Sequence, residues 1–227
     1  MSRVLTYRST AVLAVANAAV YIAAWAQGAD IASLKLSGDF SMAAGHPWTL
    51  LTYMFCHNHP GHLAINLAVL AAAGAMYERR RGHAAMLAAY ITGGIAGGII
   101  FVGAASATGL TLSSLAGASA AVLAVGAALI ASSRSAAMRI RRTPAAIAAL
   151  VLATIAILWG LRGPNAGGSI AHIGGISAGI ACGLLSRTKR TAPADHSAII
   201  EKARTSGYAS LTDDERKKLA DTQQIDG

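Results

Sequence analysis

Two polar residues stand inside otherwise apolar stretches of this chain. Ser119 lies in Leu115-Ala-Gly-Ala-Ser-Ala-Ala-Val122, and His172 lies in Ile170-Ala-His-Ile-Gly-Gly-Ile176. A hydroxyl and an imidazole are the minimum kit for nucleophilic catalysis: one attacks, the other takes its proton. Hydrocarbon penalises polar groups, so a polar residue in such a stretch reads as functional by default. A third set occurs in Cys56-His-Asn-His-Pro-Gly-His62-Leu-Ala-Ile-Asn66. Its His62 and Asn66 are four apart, hence stacked on one face of a helix, and both can donate hydrogen bonds. Three histidines between positions 57 and 62 also invite a metal. The spacing is not His-Glu-x-x-His, and no carboxylate or cysteine cluster is near in sequence, so no metal and no other cofactor is expected.

The elements that must position these groups follow from composition. The 227 residues are 54% hydrophobic and only 13% charged, against about 25% charged in a soluble domain. That deficit, with long charge-free runs, indicates an integral membrane protein. A spanning helix needs roughly 20 mostly apolar residues. Six candidates emerge: 10–27, 62–77, 84–103, 115–132, 144–161 and 170–186. The first could imitate a signal peptide, but it is long, lacks a cleavage site and precedes further apolar segments, so it reads as a retained helix. Several segments are rich in Ala and Gly, and the small-xxx-small spacings of Gly93-Gly-Ile-Ala-Gly97-Gly98 read as a helix-packing face.

The formal net charge is +9, but the basic residues sit in short connections, as topology signals do, and nucleic acid is not an expected partner. Arg3, Arg8, Arg79, Arg80, Arg81, Arg134, Arg139, Arg141, Arg142, Arg187, Lys189 and Arg190 flank one side of the spans; Lys35 and Arg162 flank the other. Twelve against two places both termini in the cytoplasm. Ser119 and His172 then fall at the outward ends of the fourth and sixth segments, at similar depth. Cys56 and Cys182 fall at different depths, so a disulfide between them is not expected. The long connection 28–61 carries many apolar residues and is expected in the outer interface, with Trp48 and Tyr53 near headgroup level. Beyond Arg190 the chain turns polar. The expected division is a membrane domain at 1–190 and a short helical tail at 191–227. In the tail Thr212-Asp-Asp-Glu215 is a capping box, with Ile199, Ile200 and Tyr208 as its apolar partners.

These residues resemble the rhomboid family of intramembrane serine proteases. That family pairs His-x-x-x-Asn on its second helix with Gly-x-Ser at the start of the fourth and a histidine, followed three residues later by Gly, on the sixth. The corresponding residues here are His62 and Asn66, then Gly117 and Ser119, then His172 and Gly175, with Gly179 beyond. Order and spacing agree across roughly 10–186. The stretches His46-Pro-Trp-Thr-Leu-Leu-Thr-Tyr-Met-Phe and Asn165-Ala-Gly-Gly look like a bacterial branch that also tends to have Gly-Ala-Ser-Ala. The resemblance implies that Ser119 is the nucleophile and His172 its general base, a dyad without an acid. His62, Asn66 and the backbone N–H of Ser119 would surround the developing oxyanion. Gly117 would leave room for the turn before the nucleophile. Gly175 and Gly179 would let the sixth helix approach the fourth. His57 would be structural, tying down the external connection. Two departures stand out. The family's Trp-Arg pair is replaced by Trp48-Thr49, and the aromatic four residues after the serine by Leu123.

The expectation is therefore an all-α polytopic membrane protein with six spans, resembling a rhomboid protease. It would hydrolyse peptide bonds in or near the transmembrane helices of other proteins, in a bacterial plasma membrane. Two alternatives stand beside it. A catalytically silent relative would bind membrane clients without cutting them, and such relatives typically lack the serine or the histidine. A small transporter or channel would use His62, Asn66 and His172 as a polar pathway, but segments three to six hold no Asp, Glu, Lys or Arg for ion coupling.

Overall fold

A computed structural model describes residues 7–27, 31–108, 114–133, 166–187, 193–216 and 219. The expected fifth segment, 144–161, lies outside these residues, as do Arg3, Arg134, Arg139, Arg141, Arg142, Arg162, Asn165, Lys189 and Arg190. The chain divides into two compact units, Met1–Arg187 and Thr188–Gly227.

The first unit is a helical membrane bundle. It contains α1 (Arg8–Gln27), the short α2 (Phe40–Gly45) and α3 (Thr49–Thr52), α4 (Pro60–Val69), α5 (Ala75–Thr108), α6 (Ser119–Ser132) and α7 (Ala166–Leu185). Among the described residues, Arg8–Ala26, Pro60–Thr108 and Gly167–Leu185 are long and apolar enough to cross a membrane, and α6 is a shorter apolar helix. A π-helical stretch, Leu70–Gly74, joins α4 to α5.

The helical path does not stop where the arginines begin. Arg79, Arg80 and Arg81, expected in a loop, continue α5, which is broken at Gly82 with φ 84°. That backbone conformation is open to glycine and costly for other residues. The chain doubles back there: a Cβ on Gly74 would lie 3.0 Å from Met86 Cε. Near the turn, buried Glu78 secures the start of α1. Its carboxylate accepts the backbone N–H of Ser9 at 2.7 Å and of Thr10 at 2.9 Å, and the Thr10 hydroxyl at 2.6 Å. First-turn N–H groups have no partner within their own helix, and an anion there also opposes the positive end of the helix dipole. His83 pairs with the same carboxylate. Deeper in the bundle, Asn17 Nδ2 donates to the Tyr90 hydroxyl at 3.0 Å, joining α1 to α5.

The centre of the bundle is α6, every residue of which from Ala120 to Leu129 is buried. Its alanines let the neighbours come close. Gly93 and Gly97 of α5 face Ala124 and Ala120, and Gly175, Gly179 and Gly183 of α7 face the backbone of Ala120, Ala124 and Ala128. Association in lipid has little hydrophobic drive and relies on such small-residue packing.

The connection between α1 and α4 is folded rather than extended. Asp39 caps α2 by accepting from the Met42 N–H at 2.9 Å. The Thr49 hydroxyl donates to the His46 carbonyl at 2.6 Å, and the Thr52 hydroxyl to the Leu34 carbonyl at 2.8 Å. Trp48 is 51% exposed, as an interfacial side chain would be. Tyr53 corrects the expectation of a headgroup-level ring: it is 1% exposed, and its hydroxyl donates to the Gly94 carbonyl at 2.6 Å. Gly97 and Gly98 line the slot the ring enters, and Gly94 leaves room for Met54 beside it.

In the second unit, α8 (Pro193–Ser206) precedes a 3₁₀ turn at Tyr208–Ser210. The capping box forms: the Thr212 N–H donates to Glu215 at 2.8 Å, and the Glu215 N–H to the Thr212 hydroxyl at 3.3 Å. The Thr212 N–H and the Lys202 ammonium hold the exposed Glu215 carboxyl down at about 2. The apolar side differs from expectation. Ile199 and Leu211 are buried, whereas Ile200 and Tyr208 are exposed, and Tyr208 lies under the Arg216 guanidinium.

Candidate active site

The helix that carries the nucleophile candidate starts later than the apolar run does. Leu115 pairs with Leu36 in an antiparallel bridge, with N–H···O distances of 3.1 and 2.7 Å. At Gly117, φ is 131°, and a Cβ there would lie 2.6 Å from His62 Cε1. Both the backbone angle and the space therefore demand glycine. The Gly117 N–H donates to the Tyr53 carbonyl at 3.0 Å. Only then does α6 begin, with Ser119 as its first residue and Ala118 as an N-cap that has no capping side chain. The first intrahelical bond runs from Val122 N–H to the Ala118 carbonyl. The Ser119 N–H is thus one of the helix's orphan donors, at the positive end of its dipole.

His172 stands on α7 opposite this point. Its Nε2 is 2.7 Å from Ser119 Oγ, a hydrogen bond between residues 53 apart in sequence. The ring can accept the hydroxyl proton there if Nδ1 carries its own. Nδ1 is buried and has no hydrogen-bond partner among the described residues. The approach is set by the glycines just beyond. A Cβ on Gly175 would fall inside the Ala120 carbonyl, and one on Gly179 would lie 2.6 Å from Ala124 Cα.

The remaining polar residues converge on the same turn. His62 lies over Gly117, and its ring meets that of His57 edge-on at 5.2 Å between centroids. Asn66 is 5% exposed. Its Nδ2 donates to the His62 carbonyl at 3.1 Å and to His57 Nε2 at 3.2 Å. The Ala118 N–H also points at His57 Nε2, at 3.4 Å. Burial, aided by the nearby His62, pushes the His57 imidazole down to about 4, so it is neutral at pH 7. Among the described residues no group of three His, Cys, Asp or Glu gathers as metal ligands would. Cys56 and Cys182 are free thiols.

Two supports of this site were not visible in the one-dimensional reading. Tyr53, read as interfacial, supplies the carbonyl that holds Gly117 and the hydroxyl that anchors its own segment to α5. Leu36, read only as an apolar loop residue, supplies the bridge to Leu115. The available signal was the resemblance of 46–55 to a family stretch, which marks the segment without showing what it touches. Leu123 is buried one turn after Ser119.

The fold and this arrangement define a helical integral membrane protein with a serine and a histidine in contact at the end of a buried helix. A model of the rhomboid domain matches residues 44–189, well over half of the chain, and the chain belongs to the rhomboid family. The match begins after α1, which lies outside it. No curated protein matches the chain.

Proposed function

We propose that this protein is an intramembrane serine endopeptidase that cuts peptide bonds in or near the transmembrane helices of other membrane proteins. The observation that carries this reading is the 2.7 Å contact between His172 Nε2 and Ser119 Oγ, in a family whose members are typically such proteases. Ser119 Oγ attacks the scissile carbonyl carbon while His172 Nε2 takes its proton. The negative oxygen of the tetrahedral intermediate is met by the Ser119 N–H, with His62 and Asn66 as further donors. Such preorganised donors are typically worth ~3 kcal/mol each. His172 then protonates the leaving amine, and water releases the acyl group by the reverse proton route.

The depth of the dyad follows from helix length. α6 has 14 residues, about 21 Å at 1.5 Å per residue, which is short of a ~30 Å hydrocarbon core. Its far end is capped by two guanidinium groups: Arg81 donates to the Ser132 carbonyl at 2.6 Å, and Arg187 to the Ala131 carbonyl at 2.7 Å. Arginine seeks the interface, so the far end is the one near water and Ser119 is the recessed one. Water would therefore have to reach the dyad from the opposite side. A substrate helix keeps its backbone bonded in lipid, so it must unwind before it can be cut. Helix-weakening residues and a small side chain at the cut are favoured. The arginine bias puts the far end, and both termini, in the cytoplasm, and the branch-like motifs favour a bacterial plasma membrane.

The test is co-expression with a panel of single-span substrates, comparing the native chain with Ser119→Ala. Cleavage by the native chain that Ser119→Ala abolishes, with insertion unchanged, is the expected result. Equal cleavage by both overturns the assignment, and no cleavage by the native chain favours a silent client-binding relative.

A further inference from the structure

We infer that His57 is a positioning residue for the oxyanion site, a single neutral acceptor nitrogen that fixes both the Asn66 carboxamide and the backbone turn leading into Ser119. This rests on the proteolytic reading above and goes beyond a loop-anchoring role.

Two donors that belong to different elements converge on His57 Nε2. One is Asn66 Nδ2 of α4, at 3.2 Å. The other is the Ala118 N–H, immediately before the nucleophile, at 3.4 Å. An amide nitrogen can only donate, so Nε2 must be unprotonated and the ring proton must sit on Nδ1. The two donors fix this tautomer independently. Reversing the Asn66 amide would set its oxygen against the His62 carbonyl, 3.1 Å away, and would still leave the Ala118 N–H demanding an acceptor. His57 is 3% exposed, so water does not replace a lost bond cheaply, and an orphaned buried donor costs its full desolvation.

The consequence lies in which donors remain for the reaction. With the Ala118 N–H turned toward His57, the next amide, that of Ser119, is left as the backbone donor at the helix end. In the resting site Asn66 has one amide hydrogen on His57 and the other on the His62 carbonyl; the first holds it at one rotamer beside His62, and the second is the one it shares with the oxyanion as charge develops. The ring touches neither the nucleophile nor its base. It acts through Asn66 and through the turn, and its removal is felt where charge develops rather than where substrate binds.

The test compares the purified full-length native chain, His57→Leu and His57→Gln on a cleavable transmembrane substrate in detergent. Leu has no acceptor; the Gln side-chain oxygen can take the place of Nε2. His57→Leu should lower kcat by about 30-fold or more with KM within about twofold, and His57→Gln should restore kcat to within about threefold of native. Native kcat in His57→Leu, or equal losses in two variants that both fold, would overturn the inference while leaving Ser119 and His172 in place. A native chain no more active than Ser119→Ala would overturn the proteolytic reading and this role with it. Independent of folding in the variants, nitrogen-15 spectra of histidine-labelled native protein report the tautomer at pH 7. The seven histidines are assigned by replacing the other six one at a time. A His57 ring protonated on Nδ1 supports the inference, and one protonated on Nε2 overturns it.

Discussion

In the proposed mechanism His172 and Ser119 handle one proton between them, so their removal should not be additive. His172→Ala should be as inactive as Ser119→Ala, and the double variant no worse than either. A double variant clearly worse than both singles, measured by substrate cleavage in membranes, would show that the two do not share one step. The donors behave differently. Asn66→Ala and His62→Ala should leave measurable turnover, with kcat down ~100-fold or more and KM little changed, since an oxyanion donor acts only in the transition state. A change confined to KM would contradict that role. At this scale the sequence was legible for chemical identity: a lone serine, a lone histidine and a His-x-x-x-Asn spacing in apolar surroundings. It did not show that the amide of Asn66 is committed to His57, because nothing local connects positions 57, 66 and 118.

The elements bring these groups together through backbone proximity. The seam of Gly175, Gly179 and Gly183 against Ala120, Ala124 and Ala128 sets the distance between α6 and α7, and so the distance between Ser119 and His172. Gly179→Val should separate the helices, because a Cβ there lies 2.6 Å from Ala124 Cα and 2.7 Å from its carbonyl carbon. Overpacking of this kind costs ~1–3 kcal/mol, and loss of the dyad contact should remove labelling by a serine-reactive probe. Gly103→Ala is the control. A Cβ at Gly103 meets nothing within 4 Å, so a change of no more than ~1 kcal/mol, in the stabilising direction, is expected. Thermal unfolding and probe labelling together check both; a Gly179→Val protein with native labelling would show that the seam does not set the site. The glycine spacing on α5 was readable as a packing face. The partners were not, since small residues advertise close approach to any neighbour. Helix ends were the least legible, because the apolar run begins at Leu115, before α6 starts at Ser119, and the helix continues through the charged Arg79–Arg81 to its break at Gly82.

At the scale of the molecule, the tail and the dyad belong to separate compact units. Deleting 191–227 should leave a purified protein that still reacts with a serine probe at the native rate. Ser119, His172, His62, Asn66 and His57 all belong to the first unit, Met1–Arg187. A folded truncation that fails to react would show that the tail supports the active conformation. What the sequence by itself determined is the solvent and the chemistry. Apolar length and sparse charge dictate helices in lipid, because an unpaired backbone there is too costly, and the residue types supply the hydroxyl and imidazole that the proposed acyl transfer needs. What only the tertiary structure decided is the meeting of parts remote in the chain: Tyr53 turned into a glycine slot instead of toward headgroups, Leu36 bridged to Leu115, and His57 placed between Asn66 and Ala118. Those contacts join residues 41, 79, 9 and 61 positions apart. Periodicity describes each segment's own faces, and which faces meet is set by packing between segments.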